Sequence, residues 1–467
     1  MDNKKKISWT NLAFMGFTTV WGFGNVINGF SHFGGTHAVI PWLLIIMLYF
    51  VPYSLMVGEM GSTFHKEGGG VSVWVNKTAG RKLAFYAGWM YFVVHIPYLS
   101  QKPSAILIAG SWALFQENLA SNLSIPVLQG LSLVIFLIAL YLSTRGLSFL
   151  KKISAVAGSA AFIMSMLFIV MMILAPAINP NANIIHLTLS DFSPQFNLQL
   201  LSSISILIFA VGGCEKISPY VNKMIDPSKD FAKGMIALSI MVAISAILGT
   251  AAIGMMFDSA NIPADLMTNG AYYAFQILGE HYGLGNLLLI AYAVTNFVKT
   301  TAVIILSIDA PLQIFLNSAD REMLPSWLLK TNDNGIYING IKVIGIAVSI
   351  LIALPIIGIN DIDQLVKWLV KLNSVCMPLR YLWVFLAYIL LKKNADKYEK
   401  PEFMFTKSKT IGIVAGVWCF ALTAVSCVMG MMSDNLFELI MNIITPIVLV
   451  ASGLLLPLIA KKTNKVE

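Results

Sequence analysis

Twelve apolar runs, each long enough to cross a bilayer as a helix of ~20 residues, together with the loops between them account for nearly the whole of this 467-residue chain. They fall near 8–30, 37–57, 83–108, 125–143, 151–177, 199–217, 232–256, 284–315, 340–358, 364–391, 411–431 and 437–460. Hydrocarbon offers no partner to a bare N–H or C=O, so each run must satisfy its own backbone and is predicted helical. The composition agrees: 57% of residues are hydrophobic and 12% charged, about half the charge of an ordinary soluble domain.

The charges sort by loop. With both termini in the cytoplasm, the inner segments carry Lys4 to Lys6, then Lys66, Lys77, Arg81 and Lys82, and so on to Lys461, Lys462 and Lys465. They hold 26 of the 31 basic residues, and the six outer loops hold none. This is the positive-inside pattern of a multi-pass cell (inner) membrane protein. The other five cations, Lys102, Lys299, Lys367, Lys371 and Arg380, fall inside runs. The net charge of +8 therefore belongs to membrane topology, and no nucleic-acid partner is expected. The N-terminal run lacks a small-residue cleavage site and reads as an uncleaved first span. Cys214, Cys376, Cys419 and Cys427 stand singly, with no metal-type spacing.

Two runs are interrupted in corresponding places. The first reads Val20-Trp21-Gly22-Phe23-Gly24-Asn25-Val26 and the sixth Phe209-Ala210-Val211-Gly212-Gly213-Cys214-Glu215. One such glycine pair is explained by close helix packing. Two pairs, each opening a block of five runs, match inverted repeats whose unwound helices build a mid-membrane site. Freed N–H groups there hold a carboxylate, and freed carbonyls hold a cation or an ammonium group.

The intramembrane ionisable residues are candidates for coupling or gating. Glu215 reads as a proton site or an inner-gate partner, the alternative being an interface residue. Lys299 is a candidate ligand for a substrate carboxylate or a resident of a cation-sized space. It lies ten residues from Asp309, too far to pair with it along one straight helix. Asp309, ahead of Pro311, is a candidate for a proton or an ammonium group, or for a structural role. His95 and Lys102 share a face of the third run. His95 is a candidate pH-sensitive group and Lys102 a candidate for the outer vestibule. Lys367 reads as an interface residue, whereas Lys371 and Arg380 lie deeper and await partners.

Several segments carry a resemblance. Gly58-Glu59-Met60-Gly61-Ser62-Thr63-Phe64, followed by Glu67-Gly68-Gly69 and Trp74, resembles the loop after the second span of the amino acid–polyamine–organocation (APC) superfamily. Phe209 to Gly213, Glu215, Asp226-Pro227 and Asp230-Phe231 resemble its sixth span and following loop, and Arg321 to Pro325 a short element after its eighth. Trp21-Gly22-Phe23-Gly24-Asn25 and Ser307-Ile308-Asp309-Ala310-Pro311-Leu312 are most similar to the glutamate/γ-aminobutyrate antiporter branch. The resemblance implies one transmembrane permease domain over 1–467. Its all-α, LeuT-like 5+5 inverted repeat would divide at about 8–177 and 199–391, with two accessory helices at about 411–460.

The resemblance also implies a secondary active transporter of amino acids, an amino acid/amine antiporter working by alternating access. Its partners would be a small-molecule substrate (amino acid or amine), the lipid bilayer and protons as the coupling ion. The substrate site would comprise Gly22, Phe23, Gly24, Asn25, Phe209, Ala210, Gly212 and Gly213, with Phe209 closing over the substrate. Phe23 replaces the serine of a common Gly-Ser-Gly and would narrow the pocket or gate it. A channel or receptor is the alternative, although no filter-like segment is visible. No enzyme motif, ATP-binding loop or cofactor signature is present.

Overall fold

The computed structural model describes residues 6–67, 70–145, 147–180, 183–194, 198–316, 321–433 and 435–464. The motif residues Gly68 and Gly69 and the terminal Lys4, Lys5 and Lys465 lie outside these, and Arg321 is described by its backbone alone.

Helices make up nearly all of the described chain, and two isolated bridges are its only β pairings. Among the described residues, ten segments are long and apolar enough to cross a bilayer on their own, and they coincide with runs two and four to twelve. The other two runs are also helical, but each is divided. The first splits into Trp9–Val20 and Phe23–His32, of 12 and 10 residues. At 1.5 Å per residue, neither half spans ~30 Å of hydrocarbon. The third splits into Arg81–Val93 and His95–Phe115. Pro97 accounts for that break. It brings no N–H, and its ring crowds the carbonyl of Val93 four residues earlier. With these two, the spans number twelve.

One element was not expected. Residues 257–283 read as a loop, yet Leu266–His281 forms a helix between spans seven and eight. It buries Ala271, Phe275 and Leu278 at helical spacing.

Lipid-facing surfaces carry bare apolar side chains. In span eleven, Val414, Val417, Val425 and Val428 are all exposed, a stripe that water would not tolerate but acyl chains solvate. Inside the bundle, span one packs on spans five and seven, and span three along span eight.

Two fastenings join spans that are distant in sequence. The Ile7 N–H donates to the Lys223 carbonyl at 2.9 Å, and the Ile225 N–H donates to the Ile7 carbonyl at 3.1 Å. The entry to span one is thereby stitched to the exit of span six. Elsewhere Lys392 Nζ meets Glu59 Oε1 at 2.5 Å, both buried. The same carboxylate accepts from Tyr388 Oη at 3.0 Å and the Phe405 N–H at 2.9 Å. Glu59, the acid of the motif after span two, thus ties span two to span ten and the segment beyond it.

Candidate functional site

The first break is extended backbone. Trp21 (φ −120°, ψ 148°) and Gly22 (φ −153°, ψ 154°) separate the two half-helices. The second is a turn. The helix Leu198–Val211 stops and Gly213 takes φ +106°, a left-handed conformation natural to glycine. The chain then continues as a tight 3₁₀ helix, Cys214–Lys223. Asn25 joins the breaks: its Nδ2 donates to the Val20 carbonyl at 3.4 Å and the Ala210 carbonyl at 3.3 Å. Two orphaned helix-end carbonyls are thereby satisfied within the protein.

Between the breaks lies a cavity of about 200 Å³. That is roughly six or seven water volumes, the size of a small amino acid. Gly22, Gly24 and Asn25 line it from span one, and Phe209, Ala210 and Gly212 from span six. A Cβ on Gly24 would meet nothing within 4 Å, so this position opens directly on the space. A Cβ on Gly22 would collide with Nζ of Lys299. The flexible end of the span-eight lysine fills the space that a side chain at Gly22 would take.

The charge of the lining is one-sided. Lys102, Lys216, Lys299 and Arg380 all face the cavity, and no carboxylate is among its described lining residues. Arg380 is neutralised from behind. Its Nε stands 3.3 Å from Glu215 Oε1, with both side chains buried. Glu215 also accepts from Tyr91 Oη at 2.7 Å and from Tyr53 Oη. Arg380 NH1 donates to His95 Nε2 at 2.5 Å. His95 Nδ1 in turn donates to the Tyr91 carbonyl at 2.7 Å, which assigns the ring as the neutral Nδ1–H tautomer. The remaining three cations have no fixed counter-charge. Lys216 Nζ donates to Ser307 Oγ at 2.6 Å, a neutral partner. Lys102 Nζ sits 4.1 Å above the Tyr98 ring. Among the described residues Lys299 has no hydrogen-bond or ion-pair partner.

Of the residues singled out in the sequence, the structure gathers Gly22, Gly24, Asn25, Phe209, Ala210, Gly212, Lys102, Lys299 and Arg380 around one space. It sets the others apart. Phe23 turns from the cavity into an aromatic cluster, 4.8 Å from Phe168 and 5.1 Å from Phe275 between ring centres. Gly213, Glu215 and His95 stand behind the lining. Asp309, buried, accepts from Tyr220 Oη at 3.0 Å and Gln313 Nε2 at 3.0 Å, away from the cavity. Lys367 is exposed and Lys371 half-buried.

Two participants escaped the sequence reading. Tyr98 was legible in principle: Tyr91, His95, Tyr98 and Lys102 repeat at four, three and four residues, one stripe of a helix. Lys216 was not, because the 3₁₀ geometry turns it to a face that an α-helical continuation would not give.

The profile of the amino acid permease family matches residues 7–450. The chain belongs to that family. The permease is 50% identical to an aspartate/glutamate permease of Lactococcus lactis subsp. cremoris, over all of its own length and 97% of the relative's. It is 27% identical to a glutamate/γ-aminobutyrate antiporter of Lactococcus lactis subsp. lactis, covering 83% of this chain and 77% of that one. A crystal structure of a mutant manganese transporter from Eremococcus coleocola superposes with a TM-score of 0.62 at 14% identity, over 98% and 94% of the two chains. That likeness concerns the fold, which is LeuT-like and all-α. The permease is a multi-pass membrane transporter of amino acids rather than an enzyme.

Proposed function

We propose that the permease carries acidic amino acids, aspartate and glutamate, by alternating access. One observation carries this reading: four cations and no described carboxylate line the cavity between the two breaks. Buried charge of one sign is costly unless a partner arrives, and an acidic amino acid brings two carboxylates. The name of the half-identical relative points the same way.

In this reading the α-carboxylate rests on N–H groups at the start of Phe23–His32, where the helix dipole is positive, with Lys299 beside it. The ammonium group takes the second lone pairs of the Val20 and Ala210 carbonyls, beside Asn25 Nδ2. Glu215 and Arg380 close the path behind the cavity. The repeats at about 8–177 and 199–391 move against each other, with 411–460 as accessory spans and both termini in the cytoplasm. Protons are the coupling ion, and Asp309, whose partners Tyr220 and Gln313 are neutral, is their acceptor. Exchange for an anionic or zwitterionic amino acid uses the same surface. A diamine would meet three uncompensated like charges there.

The test is counter-flow of labelled glutamate in proteoliposomes, with unlabelled competitors added outside. Aspartate and glutamate should abolish the signal, while arginine and putrescine leave it unchanged. Inhibition by putrescine without inhibition by aspartate overturns the reading. Flux that neither saturates nor responds to counter-substrate would instead mean a channel.

A further inference from the structure

We infer that Lys102 and Lys216, gathered at the ring of Tyr98, form a separate subsite for the side-chain carboxylate of the substrate and set the choice between acidic amino acids and their amides. The inference rests on the acidic-substrate reading above and says which residues enforce it.

The four cavity cations fall into three roles. Arg380 is engaged by Glu215. Lys299 lies against Gly22, beside the main-chain N–H groups of the first break. Lys102 and Lys216 are left, and they come from different spans to one ring: their ammonium groups stand 4.1 Å and 5.0 Å from the Tyr98 centroid. The ring also meets Phe209, 6.2 Å away between centres, so this locus lies beside the sixth-span break. An aromatic face attracts one ammonium group and tolerates a second, yet it neutralises neither. Lys102 and Lys216 crowd like charge at one ring, and Lys299 lines the same cavity. A ligand with two carboxylates relieves this crowding of charge when one settles at Gly22 and the other near Tyr98.

The chemistry of the pair explains the selectivity expected. A lysine ammonium is a point charge on a flexible four-carbon stem, so the same two groups follow a carboxylate across the one-methylene difference between aspartate and glutamate. An amide is isosteric with the acid but neutral. It leaves the buried Lys216 and the half-buried Lys102 uncompensated and turns its own NH₂ donors toward other donors, a mismatch that rejects strongly.

The experiment is inhibition of labelled glutamate uptake in proteoliposomes by unlabelled glutamate, glutamine and glutamate γ-methyl ester. In the wild-type protein, glutamine and the ester are expected to inhibit about 100-fold more weakly than glutamate, roughly tenfold for each charge-assisted hydrogen bond they fail to make. Lys102→Met and Lys216→Met should each narrow that gap to about tenfold, while discrimination against the α-methyl ester stays as in wild type. Met variants that keep the full γ-gap overturn the assignment. Lys102→Arg and Lys216→Arg retain the charge and give a second measurement that does not depend on the Met variants folding. The bulkier guanidinium takes room at Tyr98, so preference should move toward the shorter aspartate by about threefold or more. An unchanged aspartate-to-glutamate ratio in both Arg variants overturns the subsite. If the wild type takes up no acidic amino acid, the acidic-substrate reading fails, and the subsite with it. If the wild type takes them up but does not distinguish glutamate from its γ-ester, only the subsite fails.

Discussion

Among single residues, Glu215 and Arg380 show best how a buried charge depends on its partner. Removing one member of a buried pair leaves the other uncompensated, at a cost of about 3–5 kcal/mol. Glu215→Gln is therefore expected to lower the melting temperature of the purified permease in detergent, whereas Lys299→Met, which removes a cation with no fixed partner, should raise it or leave it unchanged while abolishing uptake. A Lys299→Met protein that transports normally would separate Lys299 from the site. The charges themselves were legible in the sequence, since ionisable residues stand out in apolar runs. Their pairings were not. Glu215 finds Arg380 and Glu59 finds Lys392 across many spans, and no local spacing encodes such contacts. Only the negative inference, that Lys299 and Asp309 cannot meet along one helix, followed from geometry alone.

For whole elements, the breaks in spans one and six were written in their glycines, and the reason is steric. Gly213 needs its positive φ, Gly22 admits Lys299, and Gly24 faces open space. Gly24→Leu should accordingly leave folding intact and fill the cavity. The expected outcome is a monodisperse protein whose glutamate uptake falls at least about tenfold. Uptake within twofold of wild type would place the substrate elsewhere. Side-chain direction at the breaks was not readable. Phe23 lies between two cavity-lining residues, yet its ring joins Phe168 and Phe275, because the helix restarts at Phe23 and turns it outward. The helix Leu266–His281 went unread for a different reason. Its polar approach, Asp258 and Asp265, and its own Glu280 outweighed a buried stripe that was in the sequence all along.

At the scale of the whole molecule, the one-sided distribution of loop lysines predicts orientation, and the cysteines make it measurable. All four native cysteines are buried, so an impermeant maleimide should report only on an introduced thiol. Lys397→Cys, in the segment between spans ten and eleven, is expected to react only after right-side-out vesicles are opened. Reaction in sealed vesicles would invert the topology. The remaining consequence concerns the stitch at Ile7. It is made of main chain and joins the entry of span one to the exit of span six, so both interrupted spans share one tether at that end. Whatever force turns one must drag the other, like two oars lashed at the handle. The opening of one half-site is thereby geared to that of its counterpart, and Ile225→Pro, which removes one of the two bonds of the lashing, is the change that would loosen their phase.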